Sequence, residues 1–177
     1  MNSHTSLPRA LRRIRLEPPA LSRLIAPARA RDLADSWEID VERIEELEEL
    51  PLPRLDLLTW LGCIQAHPHS DPSWSQYTFV TLALQAHHTF EMMHAPGMVS
   101  SMSVRPGDLF AFQPENLHWI RADGDVGFLS LQWAIPRDDF REVYREIRRG
   151  LADAGLRSVK VPTALSSWKA TIGEEWL

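Results

Sequence analysis

Histidines are the side chains of this sequence best suited to chemistry, because an imidazole can bind a metal ion or transfer a proton near neutral pH. The chain has seven of them. His67 and His69 stand two residues apart, His87 and His88 are adjacent, and His118 follows the turn Pro114-Glu115-Asn116. Histidines in strands are usually ordinary polar positions or hydrogen-bonded core residues, so their spacing alone does not establish a site.

Other catalytic motifs are missing from the sequence. It contains no Gly-x-Ser-x-Gly elbow, no phosphate-binding glycine loop and no pair of carboxylates with recognisable spacing. The single cysteine, Cys63, cannot form an internal disulfide, and its apolar neighbours from Trp60 to Ile64 predict an inert, buried thiol. Nucleophilic catalysis therefore has little support.

Short alternating or apolar segments dominate the middle of the chain, and turn signals rich in proline, glycine and asparagine separate them. Seven such segments follow at nearly regular spacing, which predicts an antiparallel sandwich or barrel. They are Leu55–Ala66, Trp74–Gln85, His87–Met93, Met98–Val104, Asp108–Gln113, Leu117–Ala122 and Val126–Ile135, and the intervening turns include His67–Pro72.

Two helices are predicted outside these strands. From Asp35 to Leu50 the apolar residues are mostly at helical spacing, Ser36 offers a cap, and Pro51 ends the helix. After Pro136, a second helix carries an apolar stripe that we expect to pack on the sheet or on a second subunit. The stripe consists of Phe140, Val143, Tyr144, Ile147 and Leu151.

Length and composition fit one compact soluble domain, with 177 residues, 44% of them hydrophobic, and a net charge of −5. These values exclude a coiled coil, a disordered tail and a polycation that coats nucleic acid. No segment approaches the ~20 apolar residues that span a bilayer, and the start lacks the apolar segment of a secretory signal. We therefore expect a cytoplasmic protein.

Charge is concentrated near the start of the sequence. Residues 1–31 carry seven arginines against Glu17 alone, and residues 32–56 carry ten acidic residues against Arg43 and Arg54. The basic segment is interpreted as an arm that binds nucleic acid or anionic lipid, as a targeting presequence, or as a solvated arm lying partly against the acidic segment. We favour the last, because the chain uses arginine in place of lysine almost everywhere.

The most specific pattern runs from Arg105 to Trp119. Arg105-Pro106-Gly107-Asp108 forms a tight turn, an alternating strand follows, and after a second turn comes His118. This tract resembles the second conserved motif of the cupin superfamily, in the Pro-Gly-Asp turn and in the distance from Gly107 to His118. Gln113, Glu115 and Ala122 depart from the motif. The resemblance covers roughly residues 55–135 and implies a double-sheet jelly roll.

The last predicted strand, from Val126 to Pro136, is similar to the end of the ligand-sensing cupin domains of arabinose-responsive regulators. Those regulators also carry a helical DNA-binding domain. Only one clear helix follows Pro136, so a complete regulator of that type is not expected.

Resemblance to the cupins also implies a metal site, in which two histidines two apart and a glutamate join the histidine of the second motif. His118 matches that last ligand. The other three fall near residues 74–81, where the sequence offers none. His67, His69 or His87 remain as substitutes. We therefore expect no bound cofactor, the alternative being a divalent metal such as Fe, Mn, Ni or Zn.

Without a metal, the mouth of the barrel would be a pocket for a small organic ligand. The expected ligand-binding residues are His118, Gln76, Trp74, Trp60, Phe112 and Trp133. No catalytic residue is assigned.

The predicted architecture is mainly β, a cupin-like antiparallel double-sheet jelly roll with an N-terminal helix and a C-terminal amphipathic helix. Its expected segments are a Pro/Arg-rich arm (1–34), an acidic helix and linker (35–54), the cupin-like domain (55–136) and a C-terminal helix and tail (137–177). The first functional hypothesis is a small-molecule-binding or interaction protein without a bound metal. We expect it to form a homodimer and not to bind a membrane. A metal-dependent oxygenase or isomerase using His118, and a nucleic-acid-associated factor acting through residues 9–31, are the alternatives.

Overall fold

Two antiparallel β-sheets pack face to face in the computed structural model, which describes residues 13–96 and 98–160. One sheet has seven strands in the order β11-β1-β8-β5-β10-β3-β2, and the other has four in the order β4-β9-β6-β7. The strands are β1 (Ile14–Leu16), β2 (Asp40–Glu42), β3 (Leu58–Cys63), β4 (Ala66–His69), β5 (Tyr77–Gln85), β6 (His88–Ala95), β7 (Met98–Val104), β8 (Asp108–Phe112), β9 (His118–Ala122), β10 (Phe128–Pro136) and β11 (Ser158–Lys160).

The predicted mainly β double-sheet jelly roll is confirmed. Each of the seven predicted segments contains a strand, with ends that differ by a few residues. The turns that bound the strands carried the signal, because β5 and β10 are buried on both faces and show little alternation. Strands β1, β2, β4 and β11 were not predicted. Of these, β4 matters most, because its residues 66–69 overlap the predicted turn at His67–Pro72.

The C-terminal amphipathic helix is also confirmed. Helix α3 spans Phe140–Asp153, and its buried residues are Val143, Tyr144, Ile147 and Leu151. They pack into the core that covers the outer face of the seven-stranded sheet. The apolar stripe is therefore covered within the chain itself.

The predicted helix from Asp35 to Leu50 is wrong. This stretch contains the end of a 3₁₀ turn at Leu33–Asp35, strand β2 on the edge of the seven-stranded sheet, and a 3₁₀ turn at Glu45–Glu49. Helical geometry would stack acidic residues four apart, which destabilises a helix. Short helices occur earlier instead, α1 at Pro18–Leu21 and α2 at Ala28–Asp32.

Residues 13–34 of the basic segment belong to the fold. Strand β1 lies between β8 and β11, and Ile14 and Leu16 are buried. Arg13 and Arg15 both bind the carboxylate of Asp108. Over these residues the segment is therefore part of the folded domain, although Arg23, Arg29 and Arg31 are exposed on its surface, while residues 1–12 lie outside the described part of the chain. One contact with the acidic segment, between Arg29 and Glu42, occurs as expected.

Two hydrophobic cores result from the two faces of the seven-stranded sheet. One core lies between the sheets and includes Phe90, Phe110 and Phe128. The other lies on the outer face, where helices and 3₁₀ turns cover the sheet. Close packing on that face requires a glycine in β3, because a Cβ on Gly62 would lie 2.6 Å from the backbone carbon of Leu33.

Among the described residues, no helix is both long and apolar enough to cross a membrane.

Candidate metal centre and pocket

A pocket opens between the two sheets and has a volume of about 400 Å³, including the part that is open to solvent. Strands of both sheets supply its walls. The lining residues are Ile39, Leu61, Cys63, Ala66, His69, Thr81, Phe90, Phe110, Phe112, His118, Trp119, Ile120, Phe128 and Gln132. The polar ones divide between the sheets, with Thr81 and Gln132 on the seven-stranded sheet and the two histidines on the four-stranded sheet.

Three metal-ligating side chains meet at this pocket. One donor atom from each of His69, Asp71 and His118 lies within 4.8 Å of the other two. The strand pairing brings the histidines together, because β4 and β9 are antiparallel neighbours with His69 opposite His118. Asp71 follows β4 after one residue, and its backbone N–H donates to the Pro114 carbonyl at 2.9 Å.

Backbone carbonyls determine the tautomer of both histidines. Nδ1 of His69 is 2.7 Å from the His67 carbonyl oxygen, and Nδ1 of His118 is 2.8 Å from the Asn116 carbonyl oxygen. A carbonyl only accepts, so each Nδ1 carries the proton and donates it. These hydrogen bonds leave the Nε2 atom of each ring as the one that can bind a metal ion, which is the arrangement found in metal-binding histidines.

Electrostatics at the cluster favour a neutral His118. Burial lowers the pKa of His118, and the nearby His69 lowers it further, while the hydrogen bond to the Asn116 carbonyl and the charge of Asp71 act in the opposite direction. The 3.7 Å between His118 Nε2 and Asp71 Oδ2 is longer than a hydrogen bond. Two imidazoles and one carboxylate are a donor set suited to a divalent metal ion.

The structure brings three of the residues predicted from the sequence to this site. His118 and Phe112 line the pocket, and His69 joins His118 in the cluster. His67 and His87, the other two substitute metal ligands, are exposed and lie outside the cluster. Regular alternation would place His67 and His69 on the same face of β4, but a register shift between Ala66 and His69 interrupts that alternation.

Four predicted ligand-binding residues lie elsewhere. Trp60 and Trp133 are fully buried, but in the core on the outer face of the seven-stranded sheet. Both faces of this sheet are apolar, so the sequence did not indicate which face was the interior. Trp74 packs edge-on against Tyr77 outside the pocket lining, and Gln76 is also absent from that lining.

Asp71, Thr81 and Gln132 also belong to the site but were not predicted from the sequence. A signal for Asp71 was present, since His69-Ser70-Asp71 places an imidazole and a carboxylate two residues apart. Pro68 and Pro72 flank this tripeptide, and prolines at these positions favour a turn over a strand. Pro68 is compatible with a strand here because β4 is at the edge of its sheet.

Cys63 also lines the pocket. It is fully buried, and burial raises the pKa of its thiol to about 12. The thiol is therefore protonated at neutral pH, as expected for an unreactive cysteine.

Comparison with known proteins supports the fold assignment. No protein-family model matches the chain, and no curated protein sequence does. Among solved structures, it is similar to the non-heme alpha ketoglutarate dependent epimerase SnoN from nogalamycin biosynthesis, with a TM-score of 0.51 and 12% identity over 89% of this chain and 83% of that chain. Oxalate oxidase gives a TM-score of 0.43 with 12% identity, over 59% of this chain and 54% of that one.

Vicilin from Corylus avellana gives a TM-score of 0.40 with 15% identity, over 55% of this chain. The matched region spans only 28% of that vicilin, so the chain corresponds to a part of some of these longer proteins. Together with the sheet topology, the similarity to SnoN shows that the chain has a double-sheet jelly-roll fold. The fold that the predicted resemblance implied is therefore confirmed.

Proposed function

We propose that this protein is a metal-dependent cupin enzyme that binds one divalent ion through His69, Asp71 and His118. The observation that carries the proposal is the convergence of two imidazoles and one carboxylate at a pocket between the sheets. Two histidines and one carboxylate with open positions are the donor set of non-heme iron(II) oxygenases. SnoN, which shares the fold, is described as a non-heme enzyme.

The residues around the cluster have separable tasks. Nε2 of His69 and of His118 would bind the ion, because their Nδ1 atoms are held by carbonyls. The Asp71 carboxylate would offset part of the ionic charge. When bound, such an ion supplies Lewis acidity or oxygen activation to a substrate. The apolar walls limit water near the substrate, which strengthens electrostatic interactions at the centre.

We therefore favour the metal-dependent enzyme, which was the alternative function, over a protein that binds small molecules without a metal. In the sequence, three of the four expected ligands were missing from residues 74–81. In the structure, a histidine and an aspartate from β4 and the turn after it lie beside His118 instead. A metal-free pocket would not require both imidazoles to expose Nε2 to one carboxylate.

Metal analysis of protein purified without chelator tests the proposal. We expect about one ion per chain, with iron as the metal that supports oxygen consumption. The variants His69→Ala, Asp71→Ala and His118→Ala should each lower metal content at least tenfold. His87→Ala is the matched control, since His87 is an exposed histidine outside the cluster, and it should retain full metal content.

Metal contents are compared only among variants that circular dichroism shows to be folded. Full metal content in His118→Ala, or an equal loss in His87→Ala, would contradict the proposed ligand set. Zinc bound at the same site without oxygen consumption would keep the site but move the chemistry to metal-assisted hydrolysis.

A further inference from the structure

We propose that the pocket beside the metal cluster selects a small, uncharged, largely apolar molecule with one hydrogen-bond acceptor, and that Gln132 donates to that acceptor. This inference rests on the proposed function for the role of the molecule as substrate. The preference for an uncharged ligand follows from the pocket walls themselves, so it is measurable without a metal.

Aromatic rings form a continuous part of the pocket wall. Phe90, Phe110 and Phe112 form a continuous group, with ring centroids 4.9 to 6.2 Å apart. Phe112 also contacts the ring of His118, with centroids 4.8 Å apart. The aromatic wall therefore extends up to the metal cluster, and a ligand that contacts the cluster must also contact these rings. A flat apolar body suits such a surface.

Charge at the pocket disfavours an anion. Among the described residues that line it, none is lysine or arginine. Arg137, which follows β10 directly, is already bound to Glu115 and Gln113. The Asp71 carboxylate adds a negative charge at the cluster. In the metal-free protein, a carboxylate ligand would therefore lose its hydration without gaining a cationic partner.

One polar pair interrupts the apolar wall of the seven-stranded sheet. Thr81 and Gln132 are cross-strand neighbours on β5 and β10, and both are buried. The Thr81 hydroxyl donates to Gln132 Oε1 at 2.9 Å. This bond holds the carbonyl branch of the amide, so the Nε2 amino group is the branch that Gln132 can offer to a ligand. A carbonyl or ether oxygen would accept from it.

The location of Gln132 supports a role in orienting the bound ligand. Gln132 and Thr81 are on the seven-stranded sheet, while His69 and His118 are on the four-stranded sheet that faces it. A ligand held by Gln132 would thus lie between the amide and the cluster. Gln132 is accordingly a positioning residue that would determine which part of the ligand faces the metal site.

Three probe molecules of similar size test separately whether the pocket prefers an uncharged ligand and whether it requires a hydrogen-bond acceptor. Acetophenone carries an acceptor, ethylbenzene lacks one, and benzoate carries a charge. Their binding is measured by calorimetry on the protein as purified and again after removal of metal with a chelator. In the metal-free protein, acetophenone should bind at least tenfold more tightly than benzoate, because benzoate would bury an unpaired charge.

Substitution of Gln132 provides the specific readout. Gln132→Leu should weaken acetophenone binding about tenfold, the size of one hydrogen bond, and leave ethylbenzene binding unchanged or slightly stronger. Gln132→Lys should reverse the preference in favour of benzoate. Thr81→Val, which releases the amide, should give a smaller loss for acetophenone and none for ethylbenzene.

The inference is overturned if acetophenone does not bind, if benzoate binds equally well to the metal-free wild type, or if Gln132→Leu weakens acetophenone and ethylbenzene alike. Metal content is measured on the same samples. Absence of metal from the purified protein would count against the proposed enzyme, and it would leave the ligand preference to be decided by the metal-free titrations.

Discussion

Replacement of Asp108 by alanine is expected to destabilise the protein by about 3 to 4 kcal/mol, because this carboxylate is a fully buried ionic junction. It accepts from the backbone N–H of Arg105 at 2.8 Å, from Arg15 Nε at 2.7 Å and Arg15 Nη2 at 3.0 Å, and from Arg13. It thereby closes the turn before β8 and attaches β1 to the sheet.

The size of the expected loss in the free energy of unfolding depends on how exposed the side chains of Arg13 and Arg15 are. Breaking a buried ion pair costs about 3 to 5 kcal/mol, since the remaining charge is left without a partner. The Arg13 side chain is only 9% exposed and would carry this cost, whereas Arg15 is 34% exposed and would regain water. The expected value is therefore in the lower part of the range, and it is a large share of the roughly 5 to 15 kcal/mol that stabilises a typical domain.

Urea unfolding followed by circular dichroism measures this free energy. Asp56→Ala is the matched control, because Asp56 is 63% exposed and pairs with Arg54 at the surface. Removing such a pair should cost less than about 1 kcal/mol. An Asp108→Ala variant that loses no more stability than Asp56→Ala would refute the idea that the Pro-Gly-Asp motif acts through Arg13 and Arg15.

Three further outcomes follow from the packing, the metal cluster and the buried His88. Gly62→Ala should lower the free energy of unfolding by about 1 to 3 kcal/mol in urea, because the new Cβ meets the Leu33 backbone, and an unchanged value would contradict that contact. Adding Mn²⁺ at 100 times its dissociation constant should stabilise metal-free protein by about 2.7 kcal/mol in thermal unfolding, and His69→Ala should abolish the effect. Burial lowers the pKa of His88 from its ordinary 6.5, so the unfolded chain takes up its proton first and stability falls as the pH drops below about 6.5. His88→Gln should remove a slope of up to about 1.4 kcal/mol per pH unit between pH 7 and 5, and an unaltered slope would show that another group is responsible.

Strands bounded by clear turns could be predicted from the sequence. The stretch from Arg105 to Trp119 shows why, since a turn, an alternating strand, a second turn and a strand starting at His118 all depend on neighbouring residues. Helix α3 was equally accessible, because its apolar stripe has one consistent period. The helix predicted at 35–50 does not form, because helical spacing of a few apolar residues does not outweigh the repulsion between acidic residues four apart.

The candidate site depended on information that is not local. His69 and His118 are 49 positions apart in the chain, and the register of β4 against β9 makes them neighbours. A shift of one residue in that register would turn one imidazole to the opposite face of the sheet. The prolines around His69 concealed β4, since a strand containing proline is stable only where its neighbouring edge is open.

Local residue patterns thus determined the strands, the final helix and the identity of His118 as a candidate ligand. Tertiary structure decided which partners His118 has, that Trp60 and Trp133 face the outer core, and that Gln132 lies in the pocket. The physical reason is that turn chemistry and side-chain alternation act over a few residues. The register and pairing of distant strands, and the choice of which sheet face is enclosed, are instead set by packing of the whole chain.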